Sequence, residues 1–194
     1  MKGIDISKWQ GKIDWSSVNN IDFVYIRASI GVGTHDEFLN TNANAVYSSG
    51  LKIGYYHFAT LKPSSEQDPA NRAAEEANYF ISLIKNLPAP TMPIALDIEE
   101  NPVGLTKDEV LSYIHAFLGV LKNEGYDVCL YSYGPFFDAN LPNNHDLGSE
   151  KLWLADYRSA PHIPHGWNNY WLWQNSNSGT EHGITGKVDT DQTA

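Results

Sequence analysis

This chain of 194 residues is poor in cysteine and in positive charge. Cys129 is its only cysteine, so no internal disulfide can form. It lies within Val128-Cys129-Leu130-Tyr131, an apolar strand-like run, and reads as a buried, inert thiol. Lys and Arg total 13 against 23 Asp and Glu, a formal net charge of −10. That balance argues for no nucleic acid partner, because phosphate binding needs a basic stripe. No apolar run reaches the roughly 18 residues of a membrane span, so no membrane insertion is expected. No leader is visible, since Lys2 is followed at once by a strand-like segment. There is no His-Glu-x-x-His and no cysteine pair for zinc, and no Gly-x-Ser-x-Gly elbow for a serine hydrolase. His162 and His165 flank Ile163-Pro164 in what reads as a surface loop. Gly31-Val32-Gly33 is too short for a phosphate loop. The residues thus offer no motif for a metal or an organic cofactor.

What is present is a rhythm. Short β-branched or aromatic runs alternate with longer amphipathic ones. Strands are predicted over Lys2–Ile6, Ile21–Ala28, Leu51–Phe58, Ile94–Ile98 and Asp127–Ser132. Helices are predicted over Glu37–Ser49, Ser65–Leu87, and from Thr106 to about Glu124, where Thr106 and Glu109 spell a capping box. Then the helices stop. Leu152–Ala155, Tyr170–Gln174 and Lys187–Val188 are short strands with no room for full helices between them. Strand–helix–strand units imply parallel pairing with right-handed crossovers. The fold class is therefore α/β, a modified TIM-like barrel of the form (β/α)5(β)3, with helices in the first two thirds. One domain covers residues 1–190, and residues 191–194 read as a tail or the start of a linker.

The acids sit where such a barrel would need them. Asp5 ends the first strand, Asp97 and Glu99 end Pro93-Ile94-Ala95-Leu96-Asp97-Ile98-Glu99, and Asp189 follows Gly186-Lys187-Val188. Strand ends of a barrel converge on one mouth. Asp97 and Glu99 are two apart and share a face, so each raises the cost of ionising the other and one should stay protonated. A carboxylate pair of that kind in an aromatic-rich mouth suggests glycoside hydrolysis. Tyr56, His57, Tyr131, Trp153, Tyr157 and Gln174 lie at or just past strand ends and are the substrate-binding candidates. A lone His among aromatics is more often structural than functional, and strand alternation should bury about half of the tryptophans and tyrosines.

Several separate motifs resemble, in order, those of glycoside hydrolase family 25, the N-acetylmuramidases of phage endolysins and secreted lysozymes. They are Asp5-Ile6-Ser7-Lys8-Trp9-Gln10, Tyr25-Ile26-Arg27-Ala28-Ser29, Gly54-Tyr55-Tyr56-His57-Phe58, Leu96-Asp97-Ile98-Glu99, Trp153-Leu154-Ala155-Asp156-Tyr157, Trp173-Gln174 and Val188-Asp189-Thr190-Asp191. The family usually has Lys where this chain has Arg27, and Glu where it has Ile30. The resemblance implies a barrel whose last strands lack helices. It implies cleavage of the β-1,4 bond between N-acetylmuramic acid and N-acetylglucosamine in bacterial peptidoglycan. It implies Glu99 as general acid, Asp97 as its partner, and Asp5 and Asp189 as completing the cluster, with Asp191 the alternative to Asp189. Retention assisted by the substrate's acetamido group and inversion are both open. The rival readings are an inactive glycan-binding module on the same barrel and a metal-dependent hydrolase. The missing leader tilts towards a phage endolysin released from the host cytoplasm by a pore, and a mature secreted domain would look the same. The acidity points to a C-terminal wall-binding module in the parent protein.

Overall fold

The computed structural model describes residues 1–61 and 68–194. Eight strands close into a barrel: β1 (Lys2–Ile6), β2 (Phe23–Ile30), β4 (Lys52–Phe58), β5 (Ile94–Asp97), β6 (Val128–Tyr133), β7 (Lys151–Ala155), β8 (Leu172–Gly179) and β9 (Val188–Thr193). A two-residue strand, β3 (Thr34–His35), hangs on β2. The order around the sheet is β1-β9-β8-β7-β6-β5-β4-β2, and β2 pairs with β1 to close the ring. The barrel strands run parallel except β9, which is antiparallel to both β1 and β8.

Helices α1 (Leu39–Ser48), α2 (Pro69–Ile84), α3 (Lys107–Asn123) and α4 (Gly134–Asn140) cover the first two thirds of the barrel. The fifth expected helix is a single 3-10 turn, Lys8–Gln10, after β1. Ser7 and Gln10 close that turn with a reciprocal cap, and residues 11–22 run on to β2 as turns and bends. The Thr106–Glu109 capping box starts α3 as read from sequence. The predicted beginning of α2 at Ser65 lies outside the described residues, and Pro69 opens the described helix with Asp68 as its N-cap. One boundary is corrected. Residues 191–193, expected in a tail, belong to β9, where Asp191 pairs with Gly3 and Gln192 with Lys2. Closure requires a strand that satisfies the facing edges of β1 and β8 together.

Alternation divides the apolar residues into two cores. Ile4, Ile6, Val24, Ile26, Ile53 and Tyr55 point outward against the helices. Phe23, Tyr25, Tyr56, Cys129, Tyr131 and Trp153 point inward and fill the barrel. The interior admits these rings because two strands supply glycine. A Cβ at Gly3 would overlap the Phe23 ring, and one at Gly54 the Tyr25 ring. Burial pushes the Cys129 thiol up to about 12, which suits an inert core group. The filled interior blocks the barrel from below and turns its upper end into a shallow cleft.

Candidate active site

The cleft lies at the C-terminal ends of the parallel strands and is lined by Asp5, Asp97, Glu99 and Asp189 together with Tyr56, Tyr131, Trp153 and Gln174. Their positions follow from parity. Asp5 and Ser7 continue the inward face of β1; Asp97 and Glu99 continue that of β5. Asp5 and Asp189 sit opposite each other in register on antiparallel strands, so two acids are forced together. Asp191 lies one inward position deeper, where its Oδ1 accepts a hydrogen bond from Trp153 Nε1 at 2.8 Å. Arg27 is the one cation lining the cleft among the described residues. Its guanidinium is held by Asp36 at 3.0 Å.

So many carboxyls in one mouth cannot all be charged. Burial raises Asp97 well above the usual carboxylate range, and the Glu99 charge adds to the rise. Burial also raises Glu99, with Glu100 and Asp189 adding to it and the hydrogen bond with Asp97 opposing it. Asp97 is the deeper of the two, 5% exposed, whereas Glu99 is half-buried. The pair therefore titrates as a unit around a shared proton that the deeper Asp97 holds more firmly. Asp5 is raised by burial and by Asp191 and Asp189, against a hydrogen bond from Gln174. Burial raises Asp189, and pushes Asp191 up to about 8. Among the described residues, Asp97 Oδ1 and Asp191 Oδ2 are buried carboxyl oxygens without a hydrogen-bond partner.

The family profile described as "Glycosyl hydrolases family 25" matches residues 4–184. The chain belongs to that family. It is 34% identical to an autolytic lysozyme of Clostridium acetobutylicum over 99% of its own length and 55% of that protein's. It is 31% identical to lysozyme M1 of Streptomyces globisporus, over 99% of this chain and 67% of that one. The bacterial lysozyme from Streptomyces coelicolor superposes with a TM-score of 0.88 at 31% identity, covering 100% of this chain and 91% of that structure. The chain thus spans little more than half the length of the Clostridium relative.

Within this family 25 barrel, most of the residues chosen from sequence converge on the cleft. Tyr56 and Tyr131 line its wall. Trp153 is buried beneath it, its ring 4.3 Å from that of Tyr25 and 4.7 Å from that of Tyr131. Tyr157 stands at the rim, 52% exposed, and its hydroxyl donates to Gln174 Oε1 at 2.8 Å. His57 does not belong there. Tyr56 faces the barrel interior, so its neighbour must face outward. His57 is fully buried between the barrel and the helices, stacked on Phe117 at 5.0 Å. Its Nε2 donates to Glu76 Oε2 at 2.8 Å and its Nδ1 accepts from the Ser29 hydroxyl at 2.8 Å. Glu76 on α2 also accepts from Tyr113 at 2.7 Å, Arg72 Nε at 3.0 Å and Thr60 at 3.3 Å. This Ser–His–Glu chain has the members of a hydrolytic triad but no access to substrate, since all three side chains are fully buried. It fastens α2 and α3 to the barrel wall.

Four residues were missed as site members, Phe58 at the end of β4 among them. Trp9, on the 3-10 turn, lines the cleft while 77% exposed. Ser7 and Arg27 also line it. Parity from Asp5 to Ser7 would have found the serine. His162 and His165 do occupy an ordered loop, where both donate to Asp138, at 2.8 and 2.7 Å. No group of three His, Cys, Asp or Glu side chains among the described residues is placed to hold a metal ion.

Proposed function

We propose that this chain is an N-acetylmuramidase, hydrolysing the β-1,4 bond between N-acetylmuramic acid and N-acetylglucosamine in bacterial peptidoglycan. The observation that carries the reading is the Asp97–Glu99 pair, a buried and a half-buried carboxyl on one face at the mouth of an aromatic-lined cleft, both raised by burial. Glu99 is the general acid. It is the more exposed of the two and faces the rim, within reach of a glycosidic oxygen. A sugar seated over Glu99 displaces its water and raises its proton affinity towards that of Asp97, so binding draws the shared proton to the residue that must deliver it. Asp97 then carries the negative charge as positive charge develops at the anomeric carbon. A 2-acetamido sugar brings its own nucleophile, which favours retention assisted by that group. Asp5 and Asp189 position the sugar and water on the opposite wall. Trp9 and Tyr157 supply exposed ring faces for stacking at the rim.

With a net charge of −10 the domain is repelled by anionic wall polymers, and a wall-binding module elsewhere in the parent protein would supply affinity. The relatives named above include an autolytic lysozyme, and a lysozyme of Streptococcus phage Cp-1 is 27% identical over 154 residues. We favour the phage role, in which a pore releases the enzyme to the wall.

The test is reducing-end release from purified peptidoglycan by the native chain and by Glu99→Gln. Native release of fragments ending in muramic acid, reduced by about 10²–10⁴-fold in the variant, is the expected result. No release from several walls would instead favour a binding module. Equal release by both proteins would mean that Glu99 is not the acid.

A further inference from the structure

Gln174 was chosen from sequence as a residue that touches substrate, but its amide is already committed. Its Nε2 donates to Asp5 Oδ2 at 2.7 Å, and its Oε1 accepts from Tyr131 at 3.0 Å and from Tyr157 at 2.8 Å. The side chain is 2% exposed. An amide can present either end to a carboxylate, and only the nitrogen end stabilises an ionised one. The two phenol hydroxyls bond to Oε1 and anchor that end of the amide, which leaves Nε2 turned to Asp5. The lock draws on four strand ends, with Tyr131 from β6, Tyr157 beyond β7, Gln174 from β8 and Asp5 from β1. It crosses the mouth from the exposed rim to the acid cluster.

We propose that Gln174 is a positioning residue: its amide, bonded through Oε1 to Tyr131 and Tyr157, donates to Asp5, orients that carboxyl in the cleft and eases its ionisation. The need for such a device is local. Asp189 and Asp191 face Asp5 from β9, Glu99 and Asp97 from the end of β5, and Tyr56 from β4. Every one of these is acidic or neutral. The cleft's one cation, Arg27, is bound to Asp36 and gives Asp5 no hydrogen bond. Gln174 Nε2 is the only hydrogen-bond donor to the Asp5 side chain among the described residues. Because Tyr157 is half-exposed at the rim, a sugar that engages its hydroxyl also acts on the amide. Tyr157 thereby links substrate contact to the state of Asp5.

The muramidase reading underlies only the kinetic arm of the test. The primary readout is a carboxyl-carbon NMR titration of Asp5, assigned with Asp5→Asn, in the native chain, in Gln174→Met and in Tyr157→Phe. Methionine keeps the length of the side chain and removes the donor. The Asp5 midpoint should rise by about 1–2 pH units in Gln174→Met, the worth of one hydrogen bond to a charged group. It should rise less in Tyr157→Phe, which keeps Tyr131 on Oε1 and, being at the rim, keeps the fold. The acid limb of kcat/KM on peptidoglycan should move upward in the same order. A midpoint unmoved in both variants, while the native chain hydrolyses walls, overturns the proposal. A midpoint that rises when the native chain hydrolyses no wall keeps the Gln174 assignment and refutes the muramidase reading.

Discussion

Replacing Glu76 by Gln tests whether the polar chain behind the barrel wall holds the helices in place. The carboxylate is fully buried and accepts from His57, Tyr113, Arg72 and Thr60. The amide has the same shape, but it removes the charge and turns an N–H₂ towards groups that donate to the carboxylate. Removing one partner of a buried ion pair costs about 3–5 kcal/mol. At about 2–4 °C per kcal/mol for a domain of this size, Tm should fall by roughly 6–20 °C. The pH dependence adds a second check. Burial pushes the Glu76 carboxyl up, but the bonds from His57 and Tyr113 and the Arg72 charge outweigh it, and the net shift is downward. Its stabilisation is therefore present above the unfolded value of about 4.3 and is lost as pH falls through the lower folded value. Burial also lowers the His57 pKa, so the fold favours the neutral ring. That contribution is present above about pH 6.5 and is lost on acidification. Circular-dichroism melts from pH 3 to 7 should show the native advantage over Glu76→Gln largest near neutrality and shrinking below about pH 4. A variant that melts with the native chain at pH 7, or a gap that does not depend on pH, would refute the reasoning.

Further outcomes follow from the barrel and its mouth. Asp191 is pushed up to about 8 by burial, so it resists ionising in the fold and costs stability as pH rises from about 4 towards that value. Asp191→Asn should gain on the native chain in thermal melts across that window, and parallel curves would contradict it. Gly54→Ala drives a methyl into the Tyr25 ring and should cost about 1–3 kcal/mol by urea unfolding, whereas an unchanged midpoint would mean the ring can move aside. Trp9→Ala removes an exposed ring, so stability should stay within about 0.5 kcal/mol while KM on soluble glycan fragments rises. An unchanged KM would remove Trp9 from the binding surface.

The first two thirds of the chain were legible because their strands and helices bury apolar faces with clear periods. Helix α3 announced its own start through Thr106 and Glu109, and β1 was read to its observed bounds. The last third was harder for a physical reason. The inward face of β9 carries Asp189 and Asp191, and β8 runs on through Asn175, Ser176, Asn177 and Ser178. A strand whose inner face lines a polar mouth shows no apolar alternation, so β8 was cut short and half of β9 was taken for a tail. The acids were found because they end strands whose lower halves are apolar. His57 was misplaced although its signal was available: Tyr56 and His57 are neighbours in one strand and cannot both look into the same cleft. Trp9 was passed over because it stands on a turn, where neither period applies.

The antiparallel β9 has a consequence for how the molecule comes into being. It lies between β1 and β8, and Thr193 exchanges hydrogen bonds with Met1 across 192 positions of sequence. Asp5 and the pair Asp189 and Asp191 come from opposite ends of the barrel's stretch of sequence. The longest loop in the fold must close before these acids meet, which makes the closing step entropically the most demanding and a slow one. Until β9 is added, the sheet is an open barrel lacking one strand, with the edges of β1 and β8 both exposed and the acid cluster incomplete. A barrel assembled in this order completes its acid cluster only once β9 is in place.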